Sequence, residues 1–189
     1  YSNGRVYQMI PANKEHNQIT VNLIRELGLC LKNSSSCRIY PSDQRIKVPA
    51  WPPYRYPDLS GVCEVPVFES IGGTDVLVNP ALIVEILSPT TEAFDRGEKF
   101  SYYKSIRAFK EYVLVSQHKP YVTQFVRQED GSWLHSEVQG LQSNMHFVSI
   151  NCHLLLVDLY LDVDFQQAEY PLHPGALSET EFLTDETDL

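Results

Sequence analysis

The stretch that decides the fold is Ala81-Leu82-Ile83-Val84-Glu85-Ile86-Leu87-Ser88-Pro89-Thr90-Thr91, with the segment that continues to Lys104. From Ala81 to Leu87 every residue except Glu85 is apolar. A short apolar run rich in β-branched residues and closed by Ser-Pro reads as a central strand buried on both faces. An ionised carboxylate there costs several kcal/mol unless it is paired, protonated or bound to a metal. Glu85 is therefore half of an ion pair or part of a site.

Ser88, Thr90 and Thr91 end the strand and offer hydroxyl caps, and Glu92 or Glu98 complements the start of a helix. That helix is expected from Glu92 to Ile106. Asp95, Lys99 and Tyr103 recur every four residues in it and share one flank. Taken alone, Asp95 and Lys99 describe an ordinary surface ion pair. Upstream, Tyr56-Pro57-Asp58-Leu59 places a carboxylate where proline sets an extended entry. Asp58, Glu85 and Lys99 together form a more specific set. Two carboxylates suit a hard divalent cation, and an ammonium beside them can orient water and offset charge on phosphorus.

On these residues the chain resembles the PD-(D/E)XK nuclease superfamily, and within it the Uma-type family of restriction-endonuclease-like proteins. The matching residues are Gly4-Arg5-Val6-Tyr7-Gln8-Met9, His16, Pro57-Asp58, and Glu85-Ile86-Leu87-Ser88-Pro89-Thr90-Thr91. Asp95, Lys99, Tyr103 and Glu111-Tyr112-Val113-Leu114-Val115 complete them. The resemblance spans roughly residues 1 to 165. It implies Asp58, Glu85 and Lys99 as catalytic residues, with Asp58 and Glu85 ligating Mg²⁺ or Mn²⁺. Asp95, His16 and Tyr103 would support them. The chain also departs from the pattern. The superfamily's lysine two residues after its second acid is Leu87 here, so that role passes to Lys99. The family's Asp after the Glu-Tyr-Val-Leu-Val run is Ser116. The Glu expected a few residues before Gly4 is either cut off or missing in a chain that starts at Tyr1.

Composition frames these expectations. At 189 residues and 43% hydrophobic content, one domain with a sizeable core is expected, and no apolar run is long enough to span a membrane. Cys30, Cys37, Cys63 and Cys152 show no metal-site spacing and read as reduced, mostly buried thiols of a cytoplasmic protein, with one disulfide left open. The net charge of −9 is concentrated at the end. Residues 158–189 carry nine acids and no Lys or Arg, leaving 15 acids against 15 bases before them. Residues 168–189 read as an acidic tail and 1–167 as the nuclease-like domain. The densest basic stretch is Arg96, Lys104, Arg107 and Lys110, the expected contact with a nucleic-acid backbone.

The remaining elements follow from periodicity. Residues 1–10 alternate as a strand, and Asn13 to Lys32 carries Ile19, Leu23, Ile24, Leu27 and Leu31 at helical spacing. Cys37 to Tyr40, Arg45 to Val48 and Arg55 to Val62 read as strands, and Glu64 to Asn79 as a loop. Glu111 to Ser116 returns as a buried strand. Pro120 to Arg127, Trp133 to Val138 and His146 to Ser149 alternate as antiparallel strands, with a hairpin turn at 129–132. His153 to Phe165 reads as a short strand followed by a helix. The expected class is α/β (α+β by stricter usage), a restriction-endonuclease-like core with a central mixed sheet flanked by helices. The expected function is metal-dependent cleavage of nucleic acid, DNA first, with no membrane and a homodimer left open. The alternatives are a catalytically inactive binding or assembly module of the same fold, and a carboxylate-pair hydrolase acting on another substrate.

Overall fold

The computed structural model describes residues 12–32 and 36–165. The strand expected over residues 1–10, most of the break after the first helix and the acidic tail from Ala168 lie outside them.

Helix α1 (Lys14–Leu31) begins where Asn13 accepts a hydrogen bond from the His16 N–H at 2.9 Å. That cap satisfies one of the orphan donors of the first turn. Ile19, Leu23, Leu27 and Leu31 make its buried stripe. Asn22, also fully buried, donates to the carbonyls of Leu159 and Leu161 at 3.0 and 2.8 Å. The helix is thereby tied to the short α4 (Leu156–Leu159).

The sheet that α1 covers has six strands. They are β1 (Arg38–Pro41), β4 (Leu59–Val62), β7 (Leu82–Leu87), β8 (Glu111–Ser116), β9 (Tyr121–Arg127) and β10 (Trp133–Gln139), in that spatial order. Only β7 and β8 are parallel. A parallel pair needs a crossover, and the helical segment after β7 supplies it. All residues of β7 and β8 are buried, as helices on both faces require. Alternation splits β7 cleanly. Leu82, Val84 and Ile86 join α1 in one apolar cluster, while Ile83 and Leu87 join Phe100, Tyr103, Phe109 and Tyr112 in the other. Glu85 belongs to the second face by the same period of two.

Three expectations about local structure are corrected. The strand read as Arg55 to Val62 is two strands in different sheets, β3 (Tyr54–Arg55) and β4. Pro57 between them lacks the N–H a ladder would need. The loop expected over 64–79 is instead a hairpin, β5 (Phe68–Ile71) with β6 (Thr74–Leu77), and Gly72 and Gly73 both take positive φ at its tip. With β2 (Arg45–Lys47) and β3 it builds a four-stranded sheet. The helix expected from Glu92 to Ile106 is not one α-helix. It is α2 (Glu92–Phe94), a π-helical turn at Asp95–Lys99, then α3 (Phe100–Lys104).

The cysteines are a fourth correction. Both pairs are disulfides, Cys30–Cys152 and Cys37–Cys63. The partners are far apart in sequence, so spacing carried no sign of the pairing. Cys30–Cys152 fastens α1 to β12 (Cys152–Leu155), the partner of β11 (Asn144–Phe147), across a separation of 122 residues. Reduction of this bond is expected to cost about 2–5 kcal/mol of stability. The check is a melting curve with and without a thiol reductant, and an unchanged midpoint would contradict it.

Glu111 is another buried carboxylate, at 0% exposure. It accepts hydrogen bonds from Ser149 N and Oγ at 2.7 and 2.6 Å, from Val148 N at 3.1 Å and from the Gln124 amide. It anchors the loop after β11 to the central sheet. Glu111→Ala leaves these donors unsatisfied in the interior. An expected loss of about 3 kcal/mol would be read from urea unfolding, and Glu111→Gln should recover part of it.

Candidate active site

Asp58 sits at the entry to β4. Leu59 is paired with Val84, so continuing the antiparallel register sets Asp58 opposite Glu85. Proline before it and its place just ahead of the first ladder pair of β4 leave its carboxylate free to turn to the neighbouring strand. Its Oδ2 accepts the Ile86 N–H at 2.7 Å, and its Oδ1 lies 3.3 Å from His16 Nε2. His16, in the first turn of α1, is held there by the Asn13 cap. Its Nδ1 is buried with no hydrogen-bond partner among the described residues.

Glu85 is 2% exposed and spans two partners from the helical segment. Lys99 Nζ lies 2.7 Å from its Oε2, and the Tyr103 hydroxyl donates to its Oε1 at 3.0 Å. Lys99 Nζ also reaches Asp95 Oδ1 at 3.0 Å, and Tyr112 on β8 donates its hydroxyl to the Asp95 carbonyl at 2.9 Å. The π-helical turn makes this convergence possible. Its wider i→i+5 winding keeps residues four apart nearly in line, so Asp95, Lys99 and Tyr103 all face β7. The Asp95–Lys99 pair is thus buried and shared with Glu85, not the exposed helix pair that spacing alone describes.

The charges are unbalanced. Asp58, Glu85 and Asp95 stand against one ammonium. Burial pushes the Glu85 carboxyl up to about 8, with the charges of Asp58 and Asp95 adding and Lys99 opposing. Burial also works against the Lys99 charge, but Glu85 and Asp95 outweigh it and hold Lys99 above its ordinary value. Lys99 is therefore an ammonium at neutral pH. Burial first, then the Glu85 charge, keeps Tyr103 firmly protonated, a hydrogen-bond donor only. No three His, Cys, Asp or Glu side chains among the described residues are already gathered around one point as a metal cluster. Asp58 and Glu85 nevertheless supply hard oxygen donors, and a divalent cation would favour the ionised form of Glu85 that burial disfavours. The residues fit such an ion.

The basic residues do not gather in one place. Arg96 pairs with Glu92 at 2.7 Å and approaches the Thr123 hydroxyl at 3.5 Å. Lys104 lies over the Phe100 ring, 4.8 Å from its centroid. Arg107 and Lys110 line a cavity beyond the opposite end of β7, where the Lys110 N–H meets the Ala81 carbonyl. Four strand residues, roughly 13 Å, separate that point from Glu85. Tyr112 and Thr123 escaped sequence reasoning. Tyr112 alternates with Leu114 on β8 and pairs in register with Ile83, a signal visible only once the sheet order is known.

The fold has a solved counterpart. It matches the crystal structure of a "putative nuclease belonging to DUF820" from Anabaena variabilis with a TM-score of 0.64 at 17% identity, over 85% of this chain and 88% of that one. The chain belongs to the Uma2 family, described as "Putative restriction endonuclease", which matches residues 1–154. Two proteins of Synechocystis sp. are similar in sequence. Protein sll1609 is 31% identical over 76% of this chain and 80% of its own length. Protein slr1290 is 34% identical over 71% and 68%.

Proposed function

We propose that the protein is a metal-dependent endonuclease that hydrolyses phosphodiester bonds, with DNA as the first substrate to test. The observation that carries this is Glu85, a buried strand carboxylate facing Lys99 and neighbouring Asp58, in a chain of restriction-endonuclease-like family. Asp58 and Glu85 would hold Mg²⁺ or Mn²⁺, which when bound supplies Lewis-acid stabilisation of charge on the phosphate oxygens. Lys99 contributes a fixed positive charge beside the phosphate and is no base, since its neighbours hold it protonated. Asp95 and Tyr103 position it, one by pairing with the ammonium and the other by orienting Glu85. Water attacks phosphorus as the P–O bond to the departing sugar oxygen breaks. His16, 3.3 Å from Asp58, is placed to take up a proton delivered through that carboxylate. Arg96, on the same helical turn as Lys99, and Lys104 on α3 are the basic residues offered to backbone phosphates, while Arg107 and Lys110 lie at the far end of β7 and are set apart from this chemistry.

The test is plasmid and single-strand cleavage with Mg²⁺ or Mn²⁺, comparing the wild type with Asp58→Asn, Glu85→Gln and Lys99→Ala. All three variants are expected to lose turnover, while Lys104→Ala keeps it. Cleavage that survives a chelator, or full turnover by Lys99→Ala, overturns the assignment. One observation favours the inactive-module alternative. Both Glu85 oxygens are already engaged by Lys99 and Tyr103. Saturable Mn²⁺ binding without cleavage would select it. A homodimer and a cytoplasmic setting belong to the same proposal. Sedimentation checks the first. Thiol trapping of protein drawn from its own cells checks the second, because two intact disulfides there would favour an oxidising compartment.

A further inference from the structure

The geometry points to a second binding site, for an organic anion about the size of a mononucleotide, in the cavity that residues 105–110 form with residues 47–49, 64 and 78–79. This inference stands apart from the nuclease proposal and does not depend on it. The cavity measures about 750 Å³, within the range of small-molecule sites. Its lining includes Val48, Val78 and Ile106, with Arg107 and Lys110 among its charged residues. Ile106 is packed in the cluster that holds Tyr103 and Phe109, and this apolar wall divides the cavity from Glu85.

The charge distribution selects an anion. Lys47 reaches the cavity but is committed to Glu69 at 2.5 Å. Arg107 and Lys110 have no ion-pair partner among the described residues, so two uncommitted cations face the single carboxylate of Glu64. The backbone adds donors. Residues 106–109 form a turn closed by the Phe109 N–H and the Ile106 carbonyl at 3.1 Å. The N–H groups of Arg107 and Ala108, at its two central positions, meet no acceptor among the described residues. Two successive turn N–H groups without an acceptor, beside basic side chains, are the donors that seat an anion. A phosphate fits this seat, and the apolar lining suits a planar or aliphatic body attached to it. Glu64 can accept a hydrogen bond from a hydroxyl or amino group of that body. A polymer is a poorer match, since the site is a single pocket walled off from the candidate catalytic residues.

The experiment is calorimetric titration of the metal-free full chain with adenosine monophosphate and, separately, inorganic phosphate. The expected result is saturable binding of the nucleotide, tighter than that of phosphate. Arg107→Ala and Lys110→Ala should each weaken it at least about tenfold, whereas Glu85→Gln binds like the wild type. Both basic side chains are exposed, so the variants should fold, and circular dichroism confirms it. Absence of nucleotide binding overturns the proposal, as does phosphate binding equally tightly. Binding of an oligonucleotide but not the mononucleotide assigns the surface to polymer. Loss of binding in Glu85→Gln with retention in Arg107→Ala would put the probe in the candidate active site. Either outcome also overturns the proposal.

Discussion

Replacing Lys99 by methionine is expected to lower folding stability by about 3–5 kcal/mol and to reduce metal-dependent cleavage at least about 100-fold. Methionine keeps much of the side chain's length and apolar contact, so the loss isolates the charge. Without the ammonium, Glu85 and Asp95 remain buried and share no cation. Protonation of Glu85, whose carboxyl is already pushed up to about 8, softens the penalty, so the loss should be smaller in acid than at pH 8. Lys104→Met is the control. That ammonium is exposed over Phe100, a contact worth about 0.5–1 kcal/mol. Urea unfolding of the two variants, with Glu85→Gln/Lys99→Met beside them, provides the measurement. The double variant should cost less than the sum of the singles, because it removes the unpaired charge along with its partner. A loss for Lys99→Met no larger than for Lys104→Met would show that the buried triad does not hold the helical segment to β7.

Glu85→Gln is expected to change how stability depends on pH. The carboxyl titrates at about 8 in the folded protein against an ordinary value of 4.5. Between these values the folded state binds the extra proton. The contribution of Glu85 is therefore fully present below about pH 4.5 and lost as pH rises through 8, with a slope of up to about 1.4 kcal/mol per pH unit. Glutamine imitates the protonated carboxyl and still accepts from Tyr103. The variant should match the wild type in mild acid and exceed its stability at pH 8 to 9. Cleavage should be lost throughout, separating the electrostatic cost of Glu85 from its use. The measurement is the difference in unfolding free energy between the two proteins across this range. A flat difference would mean that Glu85 is ionised and fully compensated by Lys99 at every pH.

These two experiments address one arrangement. Both read the cost to stability of a carboxylate kept in an apolar strand and relieved only in part by its lysine.

Much of this molecule follows from local sequence. The run Leu82 to Leu87 was legible as a buried strand because nothing else accounts for six residues of that composition. Helix α1 declared itself through the spacing of Ile19, Leu23, Leu27 and Leu31. The β9–β10 hairpin was visible in its alternation and the turn at Gly131. Glu85 stood out because a charge in such a strand demands a reason, and family resemblance supplied Asp58 and Lys99 as its companions. Tertiary structure alone decided what these residues touch. The burial of Asp95, the Tyr112 hydroxyl on the Asp95 carbonyl and both disulfides arise between residues distant along the chain, whereas the π-helical turn and the β5–β6 hairpin are local features that periodicity did not mark. For the distant contacts the physical reason is the same. Periodicity records which face a residue presents, a property of its own neighbours in sequence. The partner across that face is selected by strand order and register, and no local pattern encodes them.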